Sequence, residues 1–163
     1  MVVGHVQSGK TANYTGLVCK AADAGYRLII VIAGIHNNLR NQTQSRIDEG
    51  FIGRDTARLA SANKGKKQKI IGVGNFDQRH FPVSLTTSIR DFNKGTATTN
   101  TSQISSYNVP VILVIKKNAS TLKNLIEWLR EHSVSAGSEM VEQPMLLIDD
   151  EADNASINIK HGK

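Results

Sequence analysis

Two stretches of this 163-residue chain carry residue types and spacings suited to chemistry on phosphate. The first is Gly4-His5-Val6-Gln7-Ser8-Gly9-Lys10-Thr11, which fits the pattern G-x-x-x-x-G-K-[ST]. Its glycines allow a turn tight enough for successive backbone N–H groups to point at phosphate oxygens. The N-terminus of a following helix adds partial positive charge. Lys10 can reach the β- and γ-phosphates, and the Thr11 hydroxyl can ligate Mg²⁺. An ordinary glycine turn before a helix has no use for Lys-Thr at this spacing.

The second stretch is Leu146-Leu147-Ile148-Asp149-Asp150-Glu151-Ala152-Asp153, an apolar run that ends in acid. Carboxylates at a strand tip are expensive to bury without a cation, so a metal site is their natural use. One carboxylate then holds Mg²⁺ and the next orients and deprotonates a water. Asp149 and Asp150 are adjacent, and Asp150 is assigned the metal role because Glu151, the base, follows it directly. Five histidines (His5, His36, His80, His132, His161) lack zinc-ligand spacing.

These residues need a frame to hold them. Residues 1–3 read as a strand stub, and residues 11–24 as a helix with Tyr14, Leu17, Val18, Ala21 and Ala22 on one face and Gly25 as its stop. Residues 28–33 are a continuous apolar run, as in a strand buried on both faces. Asn37 or Asn38 can cap a helix running to about Glu49, with Gly50 ending it. Residues 70–73 are a short strand candidate, and residues 95–106, rich in Thr, Ser and Asn, read as an exposed loop. Residues 111–115 and 145–148 read as further buried strands. Residues 120–131 form an amphipathic helix with Leu122, Leu125, Ile126 and Leu129 inward, and Trp128 is read as core. The alternation predicts an α/β fold, a parallel sheet with helices on both faces. Residues 50–108 depart from it as a long, basic, polar insert after the second helix.

At 17.8 kDa the chain has room for one domain with a real core. It is 39% hydrophobic and 21% charged, which excludes a disordered polymer. No apolar run approaches the roughly 20 residues a membrane span requires. A single cysteine, Cys19, allows no internal disulfide, which points to a reducing, cytoplasmic setting. The net charge of +6 is uneven: residues 54–94 hold nine basic and three acidic side chains, while residues 95–163 are net acidic. Lys64, Lys66, Lys67 and Lys69 in the middle third suit a polyanion such as nucleic acid, or a solvated loop. Ligands of open α/β sheets gather at the carboxyl ends of the strands. His36, Asn37, Asn38 and Arg40, and then Lys116, Lys117 and Asn118, are expected at that edge, as contacts for a phosphate backbone or as sensors of the γ-phosphate.

Asp150-Glu151-Ala152-Asp153 spells the signature of DEAD-type ATPases, and with residues 4–11 it resembles the first RecA-like domain of a superfamily II helicase or translocase. Three stretches resemble the Z1 domain family of bacterial proteins more closely. They are Gly4-His5-Val6-Gln7-Ser8-Gly9-Lys10-Thr11-Ala12-Asn13-Tyr14, Ala33-Gly34-Ile35-His36-Asn37-Asn38-Leu39-Arg40 and Val114-Ile115-Lys116-Lys117-Asn118-Ala119. That family is labelled as endonucleases and linked to DNA restriction or defence. The resemblance implies a P-loop (RecA-like) domain over residues 1–163, with ATP and Mg²⁺ as cofactors, DNA as partner, and a second RecA-like domain outside this chain. On that expectation the chain is the ATP-binding half of a larger protein. No restriction-nuclease constellation is visible in it. A nucleotide-gated interaction module with little turnover of its own, and a small-molecule kinase, are the alternatives; activated water at Glu151 serves hydrolysis better than transfer.

Overall fold

Leu28–Ala33 is six apolar residues in a row, and all six are buried in the computed structural model. The structure describes residues 10–60, 68–78, 81–100, 108–132, 140–141 and 143–150. The strand Leu28–Ala33 (β1) lies inside a four-stranded parallel sheet. The other strands are Val83–Ser84 (β2), Val111–Ile115 (β3) and Met145–Asp150 (β4), and the order is β2-β3-β1-β4. Leu28 stands opposite both Val111 and Met145, so the three long strands start in register and end at one edge.

Side chains of a strand alternate between the two faces, and each face has its own helices. One face buries Ile29, Val31, Ile112 and Val114 against Val18 of α1 (Lys10–Asp23) and Ile47 of α2 (Asn37–Ile47). The other buries Leu28, Ile30, Leu113 and Ile115 against Ala97 of α4 (Lys94–Asn100) and Leu125 and Trp128 of α5 (Ala119–His132). Phe92 meets Trp128 edge-on at 5.7 Å between ring centres. The α/β sheet with helices on both faces is therefore as the sequence predicts. So are β1, β3 and the core placement of Trp128; α1 forms as read, but Leu17, expected on its inner face, is 49% exposed.

Other expectations are corrected. Met145–Asp150 is an edge strand, so Met145 and Leu147 are 38% and 53% exposed rather than buried. Ile126 also faces outward, at 51% exposure, because Trp128 rather than Ile126 completes the inner stripe of α5. Residues 70–73 do not form a strand: Ile70 makes a lone bridge with Arg54, and Gly72–Asn75 is a 3-10 turn. The expected loop over 95–106 begins as helix α4, held by buried Ala97; residues 101–106 lie outside the described residues, as does the stub 1–3.

The helix after β1 does not stop at Gly50. It widens into a π turn, Asp48–Ile52, closed by Gly53 in the left-handed region at φ 77°. A short helix, α3 (Thr56–Ala60), follows. Gly53 and Gly74 touch backbone to backbone, and a Cβ on Gly74 would lie 2.1 Å from the Gly53 carbonyl oxygen. No helix among the described residues is long and apolar enough to cross a membrane.

Candidate functional site

The first turn of α1 and the last residue of β4 meet at the carboxyl edge of the sheet. Alternation along β4 sends Leu146, Ile148 and Asp150 to the face that α1 covers, and Met145, Leu147 and Asp149 to the other. The Tyr14 hydroxyl donates to Asp150 Oδ2 at 3.2 Å. Burial pushes the Tyr14 phenol above its ordinary value, and the Asp150 charge adds to the shift. Asp149 is turned away to Lys117, whose ammonium bonds both its oxygens at 3.0 and 3.1 Å. The two adjacent aspartates thus have different neighbours: Asp150 shares a face with Lys10 and Thr11, and Asp149 has a cation of its own.

α1 is set against the π turn. The Cys19 thiol donates to the Gly50 carbonyl at 3.6 Å, and a side chain on Gly50 would lie 2.6 Å from Thr15 Cγ2. From the last turn of α2, Arg46 Nη1 donates to Thr11 Oγ1 at 2.9 Å across the surface. Sequence reasoning missed Arg46, because its partner lies 35 residues away and no local pattern marks it.

Arg40, expected as a phosphate-backbone contact, is corrected by its burial: it is 1% exposed. Its guanidinium is saturated by the carbonyls of Thr87, Arg90 and Val114 and by Asn41 Oδ1. Desolvation pulls its pKa below the ordinary arginine value, with Asp91 and Asp48 pulling the other way. Gln44, one turn on, accepts from the Thr86 hydroxyl at 2.7 Å and donates to Asp48 Oδ1 at 2.9 Å. Asp48 Oδ2 accepts from both the backbone N–H and the hydroxyl of Thr56. The Thr86 hydroxyl in turn accepts from the Val114 N–H, finishing the edge of β3 where β2 ends.

Asn37 and Asn38 are exposed in the first turn of α2 and are not its cap: His36 holds that position without a side-chain bond. Asn118 is committed, since its Oδ1 accepts from the Ser120 and Thr121 N–H groups at the start of α5. Lys116 lies 3.9 Å from Asp91. Lys69 is exposed, with its carbonyl accepting from Asp55 N–H. Gly4, His5, Val6, Gln7, Ser8, Gly9, Glu151, Lys64, Lys66 and Lys67 lie outside the described residues.

Whether the residues fit Mg²⁺ is decided by their chemistry. No cluster of three or more His, Cys, Asp or Glu able to hold a metal occurs among the described residues. Magnesium bound with a nucleotide does not need one: one or two protein oxygens suffice, because phosphate and water supply the rest. A hydroxyl at Thr11, on the helix that Tyr14 joins to the strand end, and a carboxylate at Asp150 are the oxygen donors that demand calls for. No protein-family model, curated protein or solved structure matches the chain.

Proposed function

We propose that the chain is the ATP-binding and ATP-hydrolysing core of a superfamily II helicase- or translocase-like protein that acts on DNA. The observation that carries this reading is the Tyr14–Asp150 hydrogen bond. It joins the helix that begins Lys10-Thr11 to the acidic strand end, on one face and one edge of a parallel sheet. The RecA-like assignment rests on that juxtaposition together with the spacing of residues 4–11.

In this reading the backbone of Gly4, His5, Val6, Gln7, Ser8 and Gly9 cradles phosphate, and Lys10 neutralises it. Thr11 and Asp150 would hold Mg²⁺, which when bound draws charge from the phosphate oxygens. Tyr14 keeps the Asp150 carboxylate aimed toward α1. Glu151 is assigned to orient and deprotonate water. Asn37, Asn38, Lys64, Lys66, Lys67 and Lys69 are the candidates for DNA phosphates, and a second RecA-like domain is the expected partner.

Titration of the chain with MgATP by calorimetry tests the site. Binding is expected, and Lys10→Ala is expected to weaken it at least about tenfold by removing a charge-assisted phosphate contact. Hydrolysis by the protein joined to its partner domain, with and without DNA, tests the activity. Unchanged binding in Lys10→Ala overturns the assignment.

A further inference from the structure

Arg46, in the last turn of α2, has its guanidinium on a single neutral acceptor, the Thr11 hydroxyl. No acid pairs with it among the described residues, and it is exposed. A guanidinium offers five donors in a rigid fork matched to carboxylate or phosphate. One hydroxyl uses little of that capacity. The other arginine of this helix, Arg40, shows the contrast, with its donors spread over four acceptor oxygens.

We propose that Arg46 is the terminal-phosphate sensor of the site, its guanidinium passing from the Thr11 hydroxyl to the γ-phosphate when Mg²⁺-triphosphate binds. The inference rests on the ATP reading above. The Thr11 oxygen cannot face a divalent cation and keep a guanidinium at 2.9 Å, because the two positive charges repel at short range. Arg46 would therefore leave Thr11 if that hydroxyl turned to Mg²⁺. The β- and γ-phosphates of a nucleotide held with Mg²⁺ at Thr11 would then be the anions within reach of Arg46. Lys10 serves both, and a second cation adds most to the γ-phosphate, which carries the larger charge. A diphosphate lacks that group and leaves Arg46 without its partner. Arg46 thereby couples the nucleotide state to α2, and through α2 to the exposed Asn37 and Asn38 at the helix's other end.

The test is calorimetric titration of wild type, Arg46→Ala, Arg46→Lys and Lys10→Ala with Mg²⁺ plus either ADP or a non-hydrolysable ATP analogue. Arg46→Ala is expected to weaken the triphosphate analogue by about tenfold or more and to leave ADP within about twofold. Arg46→Lys, which keeps the charge but not the fork, is expected to fall between. Equal losses for both nucleotides, or none for the triphosphate, overturn the role of Arg46 while Lys10-dependent binding still upholds the site. Failure of wild type to bind either nucleotide overturns the ATP reading, and the sensor with it.

Discussion

α2 builds two polar clusters, and they differ in what they leave over. Toward the sheet, Arg40, Gln44 and Asp48 are each at most 2% exposed, and their hydrogen bonds run to Thr56, Thr86, Thr87, Arg90 and Val114. At the sheet edge, Arg46 to Thr11 and Tyr14 to Asp150 are two single bonds, with donors and acceptors to spare. Buried polar groups must be satisfied internally, so the first cluster is a structural joint. Groups at a wet edge are free to exchange partners, so the second can receive a ligand.

The sharpest way to break this contrast is Arg40→Ala. It removes the bonds that three backbone carbonyls accept from the guanidinium and opens a void, and a loss of about 3–5 kcal/mol is expected in urea unfolding. Asp48→Asn is milder. It sets an amide N–H₂ against the donors of Thr56 or Gln44, at a cost of about 1–3 kcal/mol. Its pH dependence has a definite sign. Burial, the largest influence, raises the Asp48 pKa despite the opposing hydrogen bonds from Thr56 and Gln44. A raised folded value means the stabilisation from Asp48 is full below the ordinary carboxylate value and is lost as pH rises through the raised one. The stability gap between wild type and Asp48→Asn should therefore narrow from acid toward neutral pH, as read from unfolding curves of both proteins. Smallest of all is Arg46→Ala, expected within about 0.5 kcal/mol of wild type in thermal unfolding. A loss matching that of Arg40→Ala would erase the distinction between the clusters.

Legibility in the sequence followed the range of the forces involved. β1, β3, α1 and α5 are local patterns, an unbroken apolar run or a stripe at helical spacing, and were readable as such. The apolar run of β4 looks the same as that of β3, because an edge position is decided by neighbours and not by composition. The π turn, the 3-10 turn and α4 were not legible, since side-chain bonds such as Asp48–Thr56 and the Gly53–Gly74 contact hold this region across the chain. Arg40, Gln44 and Asp48 do leave a trace, a polar stripe at i, i+4 and i+8, which reads as a solvated face until the sheet is laid under it. At the edge, Asp150 lies beside Tyr14 and Asp149 beside Lys117, a difference of face that the adjacency of Asp150 to Glu151 does not encode.

The glycine contact between residues 53 and 74 has an engineering consequence. Asp55 N–H bonds the Lys69 carbonyl and Ile71 N–H bonds the Gly53 carbonyl, so the two chain segments are clasped at their base. Once such a base is fixed, doubling the length of the chain between its ends costs only about 0.6 kcal/mol in closure entropy. A change in the length of sequence between Asp55 and Lys69, such as an inserted tag or spacer, is therefore expected to leave the frame in place, held by the clasp at its two ends.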